Sequence, residues 1–168
     1  MCIMCDGASR DEVLFGLHGK IERFGFAVQA VEGTELHPPW AYTIGLLDSF
    51  DHPELVMVGR PIEDAYRIVG AMADEVCDGR DIEPGELRIV PPDGLLSVNE
   101  VDPRHWEGTR FAMWVEYYAA VGADDLEPAA LQVRRVVEAD GTRLDTWSPD
   151  DPCRMNRAAR RARAHRRR

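Results

Sequence analysis

Apolar and polar positions change their spacing several times along the chain, and each change marks an element. Val13, Leu14, Leu17, Ile21 and Phe24 recur at helical intervals. Ser9, with Glu12 three residues on, forms a capping-box pattern in which each side chain satisfies a free backbone N–H, and Gly25 suits a left-handed helix end. Gly16 and Gly19 work against this helix, each by roughly 1 kcal/mol relative to Ala. β-Branched and aromatic residues then take over in "FAVQAVE" (26–32), which reads as a strand. A polar Gly/Pro loop leads to "WAYTIGLL" (40–47), and "DSFDHP" leads to "ELVMVG" (54–59). Three short strands joined by loops of seven and six residues predict an antiparallel meander. "TIGLL" and "LVMV" are apolar on both faces, which places these strands inside the sheet and not at its edge.

A second helix is expected from Pro61, which suits a first helical position, to Gly79, with Glu63 and Asp64 at the positive N-terminal end. Its apolar stripe is Ile62, Ala65, Tyr66, Val69, Met72, Ala73, Val76 and Cys77, so Cys77 is read as a core residue. "LRIV" and "LLSVNEVD" flank "PPDG", a turn between two strands. In "TRFAMWVEYYAAVG" the positions Phe111, Trp114, Val115 and Tyr118 fit a helix, and Phe111, Met113 and Val115 fit a strand; the helix is preferred. "ALQVRRVVEADG" closes the domain as a strand and an Asp-Gly turn. The order α-β-β-β-α-β-β-α-β describes an α+β domain, with a mainly antiparallel sheet covered by helices.

Length agrees with one domain over residues 1–150, followed by an arginine-rich tail over 151–168 that is helical or disordered. No apolar run approaches the ~20 residues of a membrane span, so no membrane partner is expected. The N-terminus lacks a basic region followed by a long apolar one, so a cytoplasmic protein is expected, its four cysteines serving as thiols or metal ligands before disulfides. Charge divides the chain more sharply than its net of −10 suggests. Residues 1–153 carry −18 and the last 15 residues carry +8.

"WAYTIGLLDSFDHPEL", together with "MCIMCD" at the front, "ALQV" at 130–133 and "DTWSPDDP" near the end, resembles the bacterial domain-of-unknown-function family 4262 over roughly residues 2 to 150. The chain departs from that pattern where "TWSPDDP" replaces a Pro-Trp-Asp-Pro-Gly ending, and in its long arginine tail. The resemblance implies a fold and a motif but no catalytic residues. The order of strands and loops is also similar in architecture to split-barrel flavin-binding proteins, which makes flavin a cofactor to test, ranked behind zinc; the chain shows no phosphate-binding arginine or glycine pattern.

Three constellations carry candidate chemistry. Tyr42, Thr43, His52 and Glu54 would line a ligand pocket floored by Gly45, where the missing side chain lets a ligand or another backbone come close. The bland reading sets Trp40, Tyr42, Ile44 and Leu46 on one core-facing side and treats Asp48, Asp51 and His52 as loop residues. Cys2-x-x-Cys5 has the spacing to clasp zinc, with His18 on the inner face of the first helix as a third ligand and Cys153 or His37 as a fourth. The tail arginines Arg154, Arg157, Arg160, Arg161, Arg163, Arg166, Arg167 and Arg168 would bind RNA or DNA, or the protein's own acidic surface. These define three readings: a small-molecule-binding or accessory domain, enzymatic or not, with a pocket beside the WAYTIGL strand; a metal-stabilised interaction module; and a nucleic-acid-associated protein tethered by its tail. The first ranks ahead, its ligand unnamed by the sequence.

Overall fold

The computed structural model describes residues 9–35, 37–101, 105, 109–123 and 126–136. The first helix, α1 (Arg10–Phe24), is held at its start by the reciprocal Ser9–Glu12 capping box and at its end by Gly25, at φ 80°, whose N–H bonds the Ile21 carbonyl. Leu17 and Ile21 are buried, whereas Phe24, expected on the same stripe, is largely exposed. The meander comes next as β1 (Ala27–Val31), β2 (Trp40–Ile44) and β3 (Glu54–Val58), each pair antiparallel.

The expected strand 40–47 stops at Ile44. Gly45, at φ 110°, turns the chain out of the sheet into a five-residue helix, α2 (Leu46–Phe50). The sequence pattern did not reveal this helix. A left-handed glycine cannot continue a pleated strand, and the Ser49 N–H closes the first turn onto the Gly45 carbonyl.

The long helix α3 (Ile62–Cys77) buries Ala65, Ile68, Val69, Met72, Ala73 and Val76. Two stripe assignments change: Tyr66 is about half exposed, and Ile68 takes the inward position. Cys77 is only half-buried, because it sits at the last turn, where its thiol meets the Phe24 carbonyl at 3.7 Å. A hairpin succeeds it, β4 (Leu87–Val90) and β5 (Gly94–Glu100), then a 3-10 turn (Thr109–Phe111) leading into α4 (Ala112–Ala120), and finally β6 (Ala130–Arg135). The ambiguous 109–122 segment is thus helical, with Trp114, Tyr117 and Tyr118 buried and Val115 turned outward. The Asp-Gly turn expected after β6 lies outside the described residues.

The six strands form one sheet in the order β1-β2-β3-β6-β5-β4. All neighbours are antiparallel except β3 and β6, a parallel pair that local patterning did not indicate. One face packs on α3 through Ala41, Leu55, Met57, Leu96, Val98, Leu131 and Val133. The opposite face packs on α1 and α4 through Tyr42, Ile44, Val56, Val58 and Ala130. Both faces are apolar across β2 and β3, as their sequences require. Among the described residues no helix is long and apolar enough to cross a membrane.

Candidate functional site

The β2–β3 ladder runs Trp40↔Val58, Ala41↔Met57 and Tyr42↔Val56, and there it stops. At the next step the Leu55 N–H is taken by the Thr43 hydroxyl, at 2.8 Å, instead of by a strand carbonyl. The two strands separate at this point, and the Glu54 side chain fills the opening. Its carboxylate is 1% exposed. Oε2 accepts from the Thr43 hydroxyl at 2.5 Å, and Oε1 accepts from the Gly45 N–H at 2.9 Å, the Tyr118 hydroxyl at 3.1 Å and the Leu47 N–H at 3.5 Å. One acid thereby ties together the end of β2, the start of α2 and the last turn of α4.

Among the described residues no cation acts on Glu54. Burial pushes its carboxyl above the usual glutamate range, and the hydrogen bonds from Thr43, Gly45, Tyr118 and Leu47 pull in the other direction without overcoming it. Tyr118 is driven up as well, first by burial and then by the Glu54 charge and the hydrogen bond to it. When protonated, Oε2 has the Thr43 Oγ1 within donor reach at 2.5 Å.

Tyr42 is buried with its ring edge-on to Phe111 (centroids 5.0 Å apart), and its hydroxyl meets the Met113 and Trp114 backbone N–H groups at the start of α4. Burial raises its pKa also. His52 is 4% exposed and uses both ring nitrogens within the fold: Nδ1 donates to the Pro53 carbonyl at 2.6 Å, and Nε2 accepts the Ile82 N–H at 3.2 Å. That pattern makes Nδ1 the donor and Nε2 the acceptor. His52 is a clasp between the α2–β3 loop and the chain leaving α3, and none of its hydrogen bonds reaches Glu54. At Gly45 the close neighbour is another backbone: a Cβ there would lie 2.9 Å from the Gly25 carbonyl oxygen and 2.9 Å from Ile21 Cγ2. The structure therefore unites Tyr118, Thr43, Gly45 and Glu54 around one carboxylate and sets Tyr42 and His52 to separate structural tasks.

An open concavity lies one layer outward from this cluster, between α1 and α4. It is a shallow groove of about 340 Å³ lined by Asp11, Leu14, Phe15, His18, Tyr117, Ala120 and Val121. Phe15 stands 81% exposed at its lip. His18 does not face the core as expected; it is half-exposed on the groove wall, with Nδ1 3.4 Å from the Tyr117 hydroxyl and Nε2 3.5 Å from Glu22. Tyr117 and Tyr118 stack edge-to-face at 5.3 Å, so consecutive residues of α4 connect the groove to the buried acid. Neither tyrosine carried a local signal, because Tyr118 meets Glu54 from 64 positions away in the chain.

Cys2, Cys5 and all eight tail arginines lie outside the described residues, as does Cys153. Among the described residues no three His, Cys, Asp or Glu side chains gather as a metal site. No curated protein and no solved structure matches the chain. The family described as "Domain of unknown function (DUF4262)" matches residues 20–141, a span that holds β1 through β6 and every residue of the Glu54 cluster, and the chain belongs to that family.

Proposed function

We propose that the domain binds a small molecule in the α1–α4 groove, one layer out from the Trp40–Ile44 strand, with Tyr117 relaying occupancy to the buried Glu54 cluster. The observation that carries this reading is the combination at the groove of a fully presented aromatic, Phe15, with a polar pair, His18 and Tyr117. Binding sites commonly join an apolar lining to a few oriented polar groups. Asp11 lines the same groove and Glu22 pairs with His18, so an anionic ligand meets repulsion. A flat, apolar molecule, neutral or cationic and carrying one hydrogen-bonding group, fits the chemistry. The reading is of binding and assigns no catalytic step.

The test is an amide and aromatic NMR titration of the full chain with a fragment set containing neutral, cationic and anionic aromatics. Neutral or cationic members should shift Leu14, Phe15, His18 and Tyr117, and Phe15→Ser should weaken them about ten-fold, as expected for a lost aromatic anchor. Fragments that bind elsewhere, or that bind Phe15→Ser as tightly as the parent, would remove the groove as the site. The zinc and nucleic-acid readings rest on Cys2, Cys5 and the tail; metal analysis of the native chain and a salt titration address them separately.

A further inference from the structure

The sheet ends at β4, and nothing among the described residues pairs with its outer side. Which backbone groups face outward follows from the bonds of β5. The Leu95 carbonyl accepts the Val136 N–H at 2.7 Å, away from β4, whereas the Val98 N–H turns toward β4 and bonds the Glu86 carbonyl at 3.0 Å. Ile89 lies opposite Leu95, and Leu87 opposite Ser97. By the alternation of an antiparallel ladder, Glu86, Arg88 and Val90 bond inward to β5, and Leu87 and Ile89 direct their N–H and C=O groups out of the sheet. Arg88 reaches Glu75 of α3 and Val90 packs in the α3 cluster, so the Leu87 and Ile89 side chains point to the opposite face. There they are 62% and 77% exposed. Edge strands are normally blunted by charge, proline or a covering segment, and on this face β4 carries only these two apolar side chains.

The α3-side face of the same edge carries the charges. Arg88 Nη2 pairs with Glu75, and Nε lies 3.3 Å from Glu86 Oε1. The Arg88 side chain is only 9% exposed, yet its Nη1 is buried with no hydrogen-bond partner. A buried guanidinium N–H without an acceptor is costly, and its natural complement is a carboxylate. We propose that β4 pairs antiparallel with β4 of a second copy of the chain, about a two-fold axis at Leu87. An axis at Arg88 would set two arginines directly opposite, and an axis at Ile89 would set Arg88 against Val90. The axis at Leu87 sets each Arg88 against Glu86 of the other copy. Because both residues bond inward to β5, they form the closely spaced, non-hydrogen-bonded kind of cross-strand pair, in which side chains lie nearest. Leu87 exchanges two backbone bonds with its counterpart, and Leu87 and Ile89 of both copies join in one apolar strip on the other face. Glu86 of the second copy supplies the acceptor for Arg88 Nη1, and this charge match favours a second copy over an unrelated strand. An edge of this length buries less than the ~1,200 Å² of a stable interface, so the dimer is weak and fills only as concentration rises.

The experiment follows the full chain by amide NMR relaxation from about 50 µM to about 1 mM, a range suited to so small an interface. Tumbling time should lengthen toward about twice its dilute value as mass action fills the dimer, with the Leu87 and Ile89 amides shifting in step. Leu87→Pro removes an outward N–H and leaves the ladder to β5 untouched, so it should give a folded monomer at every concentration. Glu86→Arg and Arg88→Glu should each abolish self-association. Mixing those two variants should restore it, because the mixed pair again sets arginine opposite glutamate at both positions. Amide spectra check that each variant folds, and if Arg88→Glu does not, Leu87→Pro and Glu86→Arg decide alone. A native chain that stays monomeric at about 1 mM, or a dimer that survives Leu87→Pro or Glu86→Arg, would overturn the proposal. A mixture of folded charge variants that stays monomeric would overturn it equally.

Discussion

Thr43 and Glu54 hold each other at 2.5 Å at the point where two strands stop pairing, and the same threonine oxygen accepts the Leu55 N–H on its other side. A side-chain pair therefore does at this position what a backbone ladder does elsewhere in the sheet, and it does so around an acid that water does not reach.

Glu54 should make stability depend on pH in a defined direction. Its folded-state pKa is raised, chiefly by burial, so its contribution is fully present below the unfolded value, near 4.3, and is lost as pH rises through the folded value. Glu54→Gln keeps the shape of the protonated acid and removes the titration. Urea unfolding of both proteins from pH 4 to 8 should show the parent losing stability relative to the Gln variant as pH rises. A constant difference would mean that the four donors hold the acid ionised throughout. Glu54→Leu leaves the Gly45 N–H and the Tyr118 hydroxyl without their acceptor and should cost about 3 kcal/mol.

Gly45 should tolerate no side chain. A Cβ would meet the Gly25 carbonyl and Ile21, and φ 110° is strained for any L residue. Gly45→Ala is expected to lose about 3 kcal/mol or more, or to fail to fold. Gly16 provides the contrast: it lies within α1 with nothing near its missing side chain, and Gly16→Ala should gain up to about 1 kcal/mol. Denaturation midpoints of the two variants measure both effects at once.

His52 should report through Ile82. Removing the imidazole strips the Ile82 N–H of its acceptor, so His52→Ala should destabilise by about 1–3 kcal/mol and speed hydrogen exchange at that amide. Unchanged Ile82 protection in the variant would refute the clasp.

For the tail, we propose polyanion binding driven by phosphate neutralisation. Log affinity for single- or double-stranded nucleic acid should fall against log salt with a slope of about −5 to −7 if most of the eight arginines engage, with little sequence preference. A chain ending at Asp151 should lose this binding. Equal binding by both chains would remove nucleic acid as the tail's partner.

Local signals in the sequence were sufficient where the deciding physics was local. The Ser9–Glu12 box and Gly25 bound α1 because capping involves residues within four positions of each other. The antiparallel meander of β1 to β3 came from apolar runs and short loops, and α3 from a stripe repeating at the helical period. Gly45 was legible as a place of close approach, though not what approaches it. What tertiary structure decided depends on contacts between distant positions. The parallel β3–β6 pair joins segments more than 70 residues apart, and no local pattern distinguishes a parallel neighbour from an antiparallel one. Whether Cys77 and His18 face inward was settled by how α1 and α3 end and by what α4 presents to them, which helical period alone cannot say. The role of Glu54 was decided last of all, because a carboxylate at a strand start becomes a buried acid with a raised pKa only once Thr43, α2 and Tyr118 close around it.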